Sequence, residues 1–368
     1  MKLKIVAEKV DKLVPLRLAL SWDNVGLLVG DRNRDVKKIL LTVDITRDVL
    51  AEARRQGADL IVSYHPVIWD GLKKITADGQ GEIVYQLIRS GIAVYSIHTS
   101  LDVIKGGVND ALAEIVGIEN SQPIGDFVET GGFYKLVVFI PVGAERKVAD
   151  AIFAAGAGHI GNYSCCGFGA EGVGSFLPME GARPAIGRRG RLEKVREVRF
   201  ETMVAAEKLE EAVAAMKAAH PYEVPAFDCI RLANPGGKLG LGRIGRLSKP
   251  MEIGKMLEKV KRATGAKAVG IVGPQKRLVK KAAVCAGSCG KLIFDVIAAG
   301  ADLYLTGELS HHQALAAQEA GLTCLCLSHT VSERFVLKKF SEQLQKGLPK
   351  IKIQISKYDR DPFSWKKI

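Results

Sequence analysis

The sequence has no apolar run long enough to cross a bilayer, which takes about 20 consecutive apolar residues, although 47% of its 368 residues are hydrophobic. That excludes a membrane-spanning chain and leaves enough apolar material for two or three domains with real cores. A signal peptide is not evident either. Met1-Lys2-Leu3-Lys4 leads into an amphipathic helical pattern rather than a long apolar stretch with a small-residue cleavage site. Cysteine is scarce and odd in number, at seven. Cys229, Cys324 and Cys326 sit in apolar runs, and neither Cys285 with Cys289 nor Cys324 with Cys326 has zinc-finger or C-x-x-C spacing. We read these last four as small core residues and the thiols as reduced, which places the protein in the cytoplasm. Aromatics make up only 6% of the chain, with no RNP-like motif, Cys/His finger or aromatic-interleaved basic stripe. The net charge of +13 therefore reads mainly as solvated faces. Basic residues are mixed with acids over 207–217 and 252–262. The denser clusters are short, as in Arg188-Arg189-Gly190-Arg191, Lys276-Arg277 with Lys280-Lys281, and Lys366-Lys367.

What the chain does have is a repeated pattern of polar residues at the ends of apolar runs. Leu325-Cys326-Leu327-Ser328 ends at His329, and a helical pattern starts at once. His329 and Glu333 are four residues apart, so they share one face of the first turn. An imidazole and a carboxylate so placed suit a borderline divalent metal, although such a pair alone is more often a cap or a hydrogen-bonded pair. The same arrangement occurs upstream, where Tyr95-Ser96-Ile97-His98-Thr99-Ser100-Leu101-Asp102 pairs a histidine with an acid four places on. Gly57-Ala58-Asp59-Leu60-Ile61-Val62-Ser63-Tyr64-His65 likewise parallels Gly300-Ala301-Asp302-Leu303-Tyr304-Leu305-Thr306-Gly307-Glu308, which sets His65 against Glu308. An internal repeat with metal-capable residues at matching strand ends points to two related halves that meet at a site.

Taken in order, the pattern predicts a helix over Val6 to Leu20 and strands over Val25 to Val29, Lys38 to Val43, Asp59 to Ser63 and Ile92 to Ile97. Thr46 is placed to cap the helix that follows the second strand. Pro66 restricts His65 to extended geometry and stops its strand. Strands alternating with helices argue for a parallel sheet covered on both faces. From about Phe127 to Leu232 the order becomes strand, helix, a glycine-rich pair of short strands over Asn162 to Leu177, strand, helix, strand, which is ferredoxin-like. Asn234-Pro235-Gly236-Gly237 marks the hinge back. Strands over Leu239 to Leu247 and Ala282 to Ala286 follow, and Gly287-Ser288-Cys289-Gly290 leads into a helix from Leu292. That turn could present backbone N–H groups to an anion, but reads first as a tight strand-to-helix connection. The fold class is thus α/β: two duplicated α/β lobes, 1–126 and 233–368, form one main body, with an inserted α+β domain at 127–232.

Several separated motifs resemble the Nif-three-like dinuclear-metal family, whose members are often labelled GTP cyclohydrolase 1 type 2 homologues. They are Asp23-Asn24-Val25-Gly26-Leu27, Tyr64-His65-Pro66, His98-Thr99-Ser100-Leu101-Asp102, Thr306-Gly307-Glu308, His329-Thr330-Val331-Ser332-Glu333 and Asp361-Pro362-Phe363. The insert, with Gly172-Val173-Gly174-Ser175-Phe176-Leu177-Pro178 and His220-Pro221-Tyr222-Glu223, is similar to the PII/CutA-like extra domain of the longer bacterial members. The resemblance implies a toroidal homohexamer with a two-metal site in each subunit. Its ligands would be His65, Asp102, His329 and Glu333, with one carboxylate bridging. The family usually has a second histidine where this chain has Tyr64, a poor neutral ligand with a reference pKa near 10. The divalent ions, zinc, manganese or iron, would therefore number one or two per subunit. His98 and Glu308 are the candidates to move a proton, and His311 and His312 are not expected to touch the metal.

Two divalent ions held by imidazoles and carboxylates lower the pKa of a bound water to about 7. The expected function is accordingly a metal-dependent hydrolase acting on a nucleotide or related compound. Two alternatives stay open: a non-catalytic hexameric metal-binding regulator or scaffold, and a basic ring encircling nucleic acid, which rests on charge alone.

Overall fold

The computed structural model describes residues 1–129, 131–234, 236, 238–288 and 290–364. Helix α1 (Leu3–Leu13) buries Leu3, Val6, Ala7 and Val10 at helical spacing. The predicted continuation to Leu20 does not form, because Pro15 disfavours helical geometry at Val14 and only a 3₁₀ turn, Leu16–Leu18, follows. Then come β1 (Gly26–Val29), β2 (Lys38–Thr42), α2 (Arg47–Gln56), β3 (Leu60–Ser63), α3 (Glu82–Ser90), β4 (Ala93–Ser96), α4 (His98–Val103), α5 (Val108–Val116) and β5 (Ile118–Glu129). Thr46 caps α2 as expected, its hydroxyl accepting from the Val49 N–H at 3.2 Å. The strand β5 was not anticipated from the sequence.

By contacts the chain falls into two compact units, Met1–Val128 with Leu239–Ile368, and Glu129–Lys238. The second contains β6 (Phe133–Pro141), α6 (Glu145–Ala154), β7 (Gly167–Phe176), β8 (Glu193–Ala205), α7 (Leu209–Ala219) and β9 (Phe227–Arg231). Their sheet is antiparallel with order β7-β8-β6-β9. The expected pair of short strands within Asn162 to Leu177 is one strand, β7, zipped residue by residue onto β8. Its core packs Leu136, Val138 and Ile140 of β6 against Val148, Ile152 and Met216 of the two helices.

The chain continues with β10 (Lys238–Glu252), α8 (Ile253–Thr264), β11 (Gly270–Val272), β12 (Leu278–Cys285), α9 (Leu292–Ala298), β13 (Leu303–Thr306), α10 (His311–Glu319), β14 (Thr323–Cys326), α11 (His329–Arg334), α12 (Val336–Gly347) and β15 (Lys352–Ile355). Among the described residues, the first unit has one sheet of order β1-β4-β3-β2-β15 and one of order β11-β14-β13-β12-β10-β5. Strands β2, β3 and β4 run parallel, as do β12, β13 and β14, and each trio carries an antiparallel edge strand, β1 or β11. The sheets do not follow a clean cut of the chain. The late strand β15 lies beside β2, and the early strand β5 belongs to the second sheet.

The same local bonds recur in both halves. Asp59 accepts from the Lys37 and Lys38 amides at 2.8 and 3.0 Å, and Asp302 accepts from those of Lys280 and Lys281 at the same distances. One apolar cluster contains residues of both sheets, among them Leu41, Val62 and Tyr95 with Val284, Leu305 and Leu325, and Phe340 of α12. No helix of the described residues is long and apolar enough to cross a membrane. Cys324 is buried as expected and Cys326 half-buried, but Cys229 is exposed. Cys285 is buried and disulfide-bonded, which corrects the reading of every thiol as reduced. Cys289 lies outside the described residues.

Candidate metal centre

The register of the two parallel trios places the polar residues. Thr42, Ser63 and Ser96 stand in one row across β2, β3 and β4. Two residues further on, where side chains return to the same face, come Asp44, His65 and His98. Cys285, Thr306 and Cys326 form the matching row of the second sheet, and two residues beyond it are Gly287, Glu308 and Ser328. Both sets project from the carboxyl ends of parallel strands, where open α/β sheets bind ligands. His65 is fixed there by its N–H, which donates to the Val43 carbonyl at 3.0 Å. Ser328 adopts φ 77°, a left-handed turn uncommon for a side-chain-bearing residue. Its hydroxyl is tied to Asp361, and α11 begins with His329 immediately after it.

His65, His329 and Glu333 come together with donor atoms all within 4.8 Å of one another. His65 Nε2 is 3.3 Å from Glu333 Oε2, and His329 Nε2 is 3.1 Å from Glu333 Oε1. The opposite nitrogen of each ring is held by another carboxylate: His65 Nδ1 lies 2.9 Å from Asp44 and His329 Nδ1 lies 3.0 Å from Glu308. A carboxylate behind each imidazole fixes its tautomer and orientation, as it does for metal-ligating histidines. Glu333 is buried, and among the described residues its Oε2 meets only His65, at ion-pair distance. Beside it, a Cβ on Gly287 would fall 2.5 Å from Glu333 Oε1 and 3.3 Å from His329 Nε2. Glycine there keeps open the space in front of the donors. The His329 side chain is 36% exposed and that of Glu308 47%, against 10% for His65, so the centre opens on the His329 side.

The other expected site residues lie close by in different roles. Asp102 is outside the three-residue donor group and accepts a hydrogen bond from the Tyr64 hydroxyl. Burial, and then the charges of Asp102 and Glu333, push the Tyr64 phenol well above its usual value. In the metal-free state it is thus a neutral donor to Asp102. Burial and the Glu333 charge likewise push Asp102 up, to about 6. Glu308 braces His329, and His98 is buried with Nδ1 2.8 Å from Asp23. Asp23 is held below its usual value because bonds from His98 and Thr99 outweigh its burial. The His98 ring lies 5.3 Å from that of His65 and meets the exposed Trp22 and Trp69 edge-on at 5.8 and 5.1 Å. His311 and His312 start α10 and are not among the converging donors.

Burial opposes a charge on His65, yet bonds to Asp44 and Glu333 raise it to about 10. His329 is raised to about 9 by its bond to Glu333, against burial. Glu333 stays below its usual value, because the two imidazoles outweigh its burial. Without a metal the trio is therefore a carboxylate between two imidazolium rings, a set in which protons occupy the positions of a cation. Sequence reading missed Asp44 and the two tryptophans, and took Gly287 only as part of a strand-to-helix turn. Asp44 alone had a readable signal, an acid just past the end of a strand adjacent to that of His65.

This fold recurs in known proteins. A Halalkalibacterium halodurans protein named GTP cyclohydrolase 1 type 2 homolog is 37% identical over 365 residues, 98% of each chain. The Bacillus subtilis protein of that name is 35% identical over 98% of this chain and 97% of its own. The crystal structure of a Bacillus cereus protein related to NIF3 matches with TM-score 0.86 at 37% identity, covering 99% of both chains. The profile of Duf34/NIF3 (NGG1p interacting factor 3) spans residues 1–362. The chain belongs to the Duf34/NIF3 family.

Proposed function

We propose that this protein binds a divalent metal through His65, His329 and Glu333, and that it is a metal-dependent hydrolase of the dinuclear type acting on a nucleotide or a related compound. The observation that carries this is the double bracing of the donors. Two imidazoles have their Nδ1 atoms held by Asp44 and Glu308, and their Nε2 atoms meet at one buried carboxylate. Two imidazoles and a carboxylate suit zinc, manganese or iron. Glycine at 287 keeps open the space in front of the donors, which fits an ion held between them. A divalent ion held there would polarise a substrate oxygen and acidify a water.

The chain's own residues supply the rest. His98, held at Nδ1 by Asp23, can exchange a proton at Nε2 beside His65. Trp22 and Trp69 offer exposed aromatic surface to a planar ring. Asp102, bonded by Tyr64, is the donor left for a second ion, so we expect the His65–His329–Glu333 position to be the tighter of the two. The names of the relatives support a nucleotide-like substrate, and the resemblance of the motifs supports a homohexameric ring. The element order of Glu129–Lys238 supports reading that unit as an inserted ferredoxin-like module, and the matched bonds of Asp59 and Asp302 support a duplicated main body.

Elemental analysis of protein purified without chelator, with a screen of nucleotides under several metals, tests the proposal. We expect at least one divalent ion per chain, lost in His329→Ala, and turnover that disappears with it. Metal retained by His329→Ala would overturn the site. Metal bound without turnover of any nucleotide would overturn the hydrolase and leave a metal-binding regulator.

A further inference from the structure

The Glu129–Lys238 unit carries a second candidate site. Two stretches that stand out in the sequence, Gly172 to Pro178 and His220 to Glu223, take no part in the metal centre. Both contribute to one cavity of about 420 Å³. Its walls include Phe139, Phe176, Pro184, Ile186 and Tyr222. Into this apolar space projects Glu197, which is 8% exposed. Its Oε1 accepts from the Tyr222 hydroxyl at 3.1 Å, while Oε2 has neither hydrogen bond nor ion pair among the described residues.

A mostly buried carboxylate with a single hydrogen bond keeps acceptor capacity for a donor entering the cavity. The surrounding residues are arranged to hold it there. Gly172 stands opposite Glu197 across β7 and β8, and Gly174 is the next residue on that face. A Cβ at Gly174 would lie 2.0 Å from Glu197 Oε2, so a side chain there would displace the carboxylate from this position. Tyr222 is locked in turn. Its N–H donates to His220 Nδ1 at 3.1 Å, which leaves Nε2–H to donate to the Phe139 carbonyl at 3.0 Å. The Tyr222 ring meets His220 at 5.1 Å and Phe176 at 6.0 Å.

We propose that this cavity binds a small organic cation, an aryl or short alkyl body carrying an amidinium, guanidinium or protonated amine that pairs with Glu197. A carboxylate is an acceptor only, so its partner must donate, and aromatic walls favour a cation with an apolar body. Glu223 adds a second carboxylate at the same cavity, with one oxygen accepting from the Arg183 amide at 2.8 Å. That excludes anions of the same shape.

The test uses full-length protein with benzamidine, benzamide and benzoate as probes, followed by calorimetry and saturation-transfer NMR. We expect saturable benzamidine binding, at least about tenfold tighter than benzamide, because a charge-assisted bond is roughly twice as strong as a neutral one. Benzoate should not bind. Glu197→Gln should erase the preference for benzamidine while the thermal melt and the metal content stay as in the parent, which separates this site from the metal centre. Equal binding of benzamidine and benzamide to the unmodified protein would overturn the proposal whatever the variant does. Absence of saturable benzamidine binding would overturn it as well. So would self-association lost in Glu197→Gln, which would show that a basic side chain of a second copy fills the cavity.

Discussion

At the scale of single residues, Asp44 and Glu308 make separable claims. Each braces one imidazole, but Asp44 faces a buried ring and Glu308 a half-open one. Water can replace a bond on the exposed side more easily than on the buried one. Asp44→Asn should therefore weaken metal binding by about 10–100-fold, and Glu308→Gln by less, in competition with a chromophoric chelator. Unchanged affinity in Asp44→Asn would remove the bracing argument. The protons follow the same logic. His65 and His329 are raised to about 10 and about 9 above an ordinary imidazole near 6.5. Their contribution to the stability of the metal-free fold is fully present below about pH 6.5 and fades as the pH climbs through about 9 and then about 10. Glu333 works in the opposite direction, its contribution being lost as the pH falls through its lowered value. Metal must displace the imidazolium protons, so uptake at pH 7 should release about two protons and tighten with rising pH. Calorimetry in buffers of different ionisation enthalpy reads that release directly, and metal uptake with no proton release would contradict the assignment.

At the scale of elements, two glycines form a matched pair of tests. Gly287, after β12, has φ 67°, and Gly300, after α9, has φ 65°. Alanine costs about 1–2 kcal/mol in that conformation at either place. A Cβ at 300 meets nothing within 4 Å, whereas at 287 it runs into Glu333 and His329. Gly287→Ala should thus be the more destabilising in urea and should also lose metal, while Gly300→Ala should keep it. Equal losses with metal retained in both would mean that Gly287 serves the turn alone. The elements also show how far the sequence could be read. The parallel strands were visible because Leu60 to Ser63 and Leu303 to Thr306 are buried apolar runs ending in polar residues. Two of the four expected ligands followed from the i, i+4 spacing of His329 and Glu333, and His65 from the proline that ends its strand. Sequence could not show that the Tyr64 hydroxyl donates to Asp102. Strand β5 went unseen because its partner β10 is more than a hundred residues away, and its polar residues signal a strand only once that partner is known.

At the scale of the whole main body, the end of the chain acts on the centre without touching it. After β15, Ser356 donates through its N–H to the Leu41 carbonyl at 2.8 Å, and Asp359 accepts from the Val43 amide at 2.8 Å, next to Asp44. Arg334, next to Glu333, donates to the carbonyls of Asp359 and Ser356 at 2.9 and 2.7 Å. Asp361 takes the hydroxyl of Ser328, next to His329. Residues 356–361 therefore brace the neighbours of Asp44, Glu333 and His329 together, joining donors that come from opposite ends of the sequence. Asp359 is buried and is not itself among the converging donors, so it isolates the effect. Asp359→Ala leaves the Val43 amide without its acceptor and should cost about 1–3 kcal/mol. It should also lower metal affinity, because Asp44 and Glu333 lose a shared support. The coupling must run both ways. Metal at about 100 times its dissociation constant stabilises the folded form by roughly 2.7 kcal/mol, and it should slow carboxypeptidase digestion past Asp361 in the parent but not in His329→Ala. If Asp359→Ala is destabilised yet binds metal as tightly as the parent, the tail only holds the sheet together and the donors are organised without it.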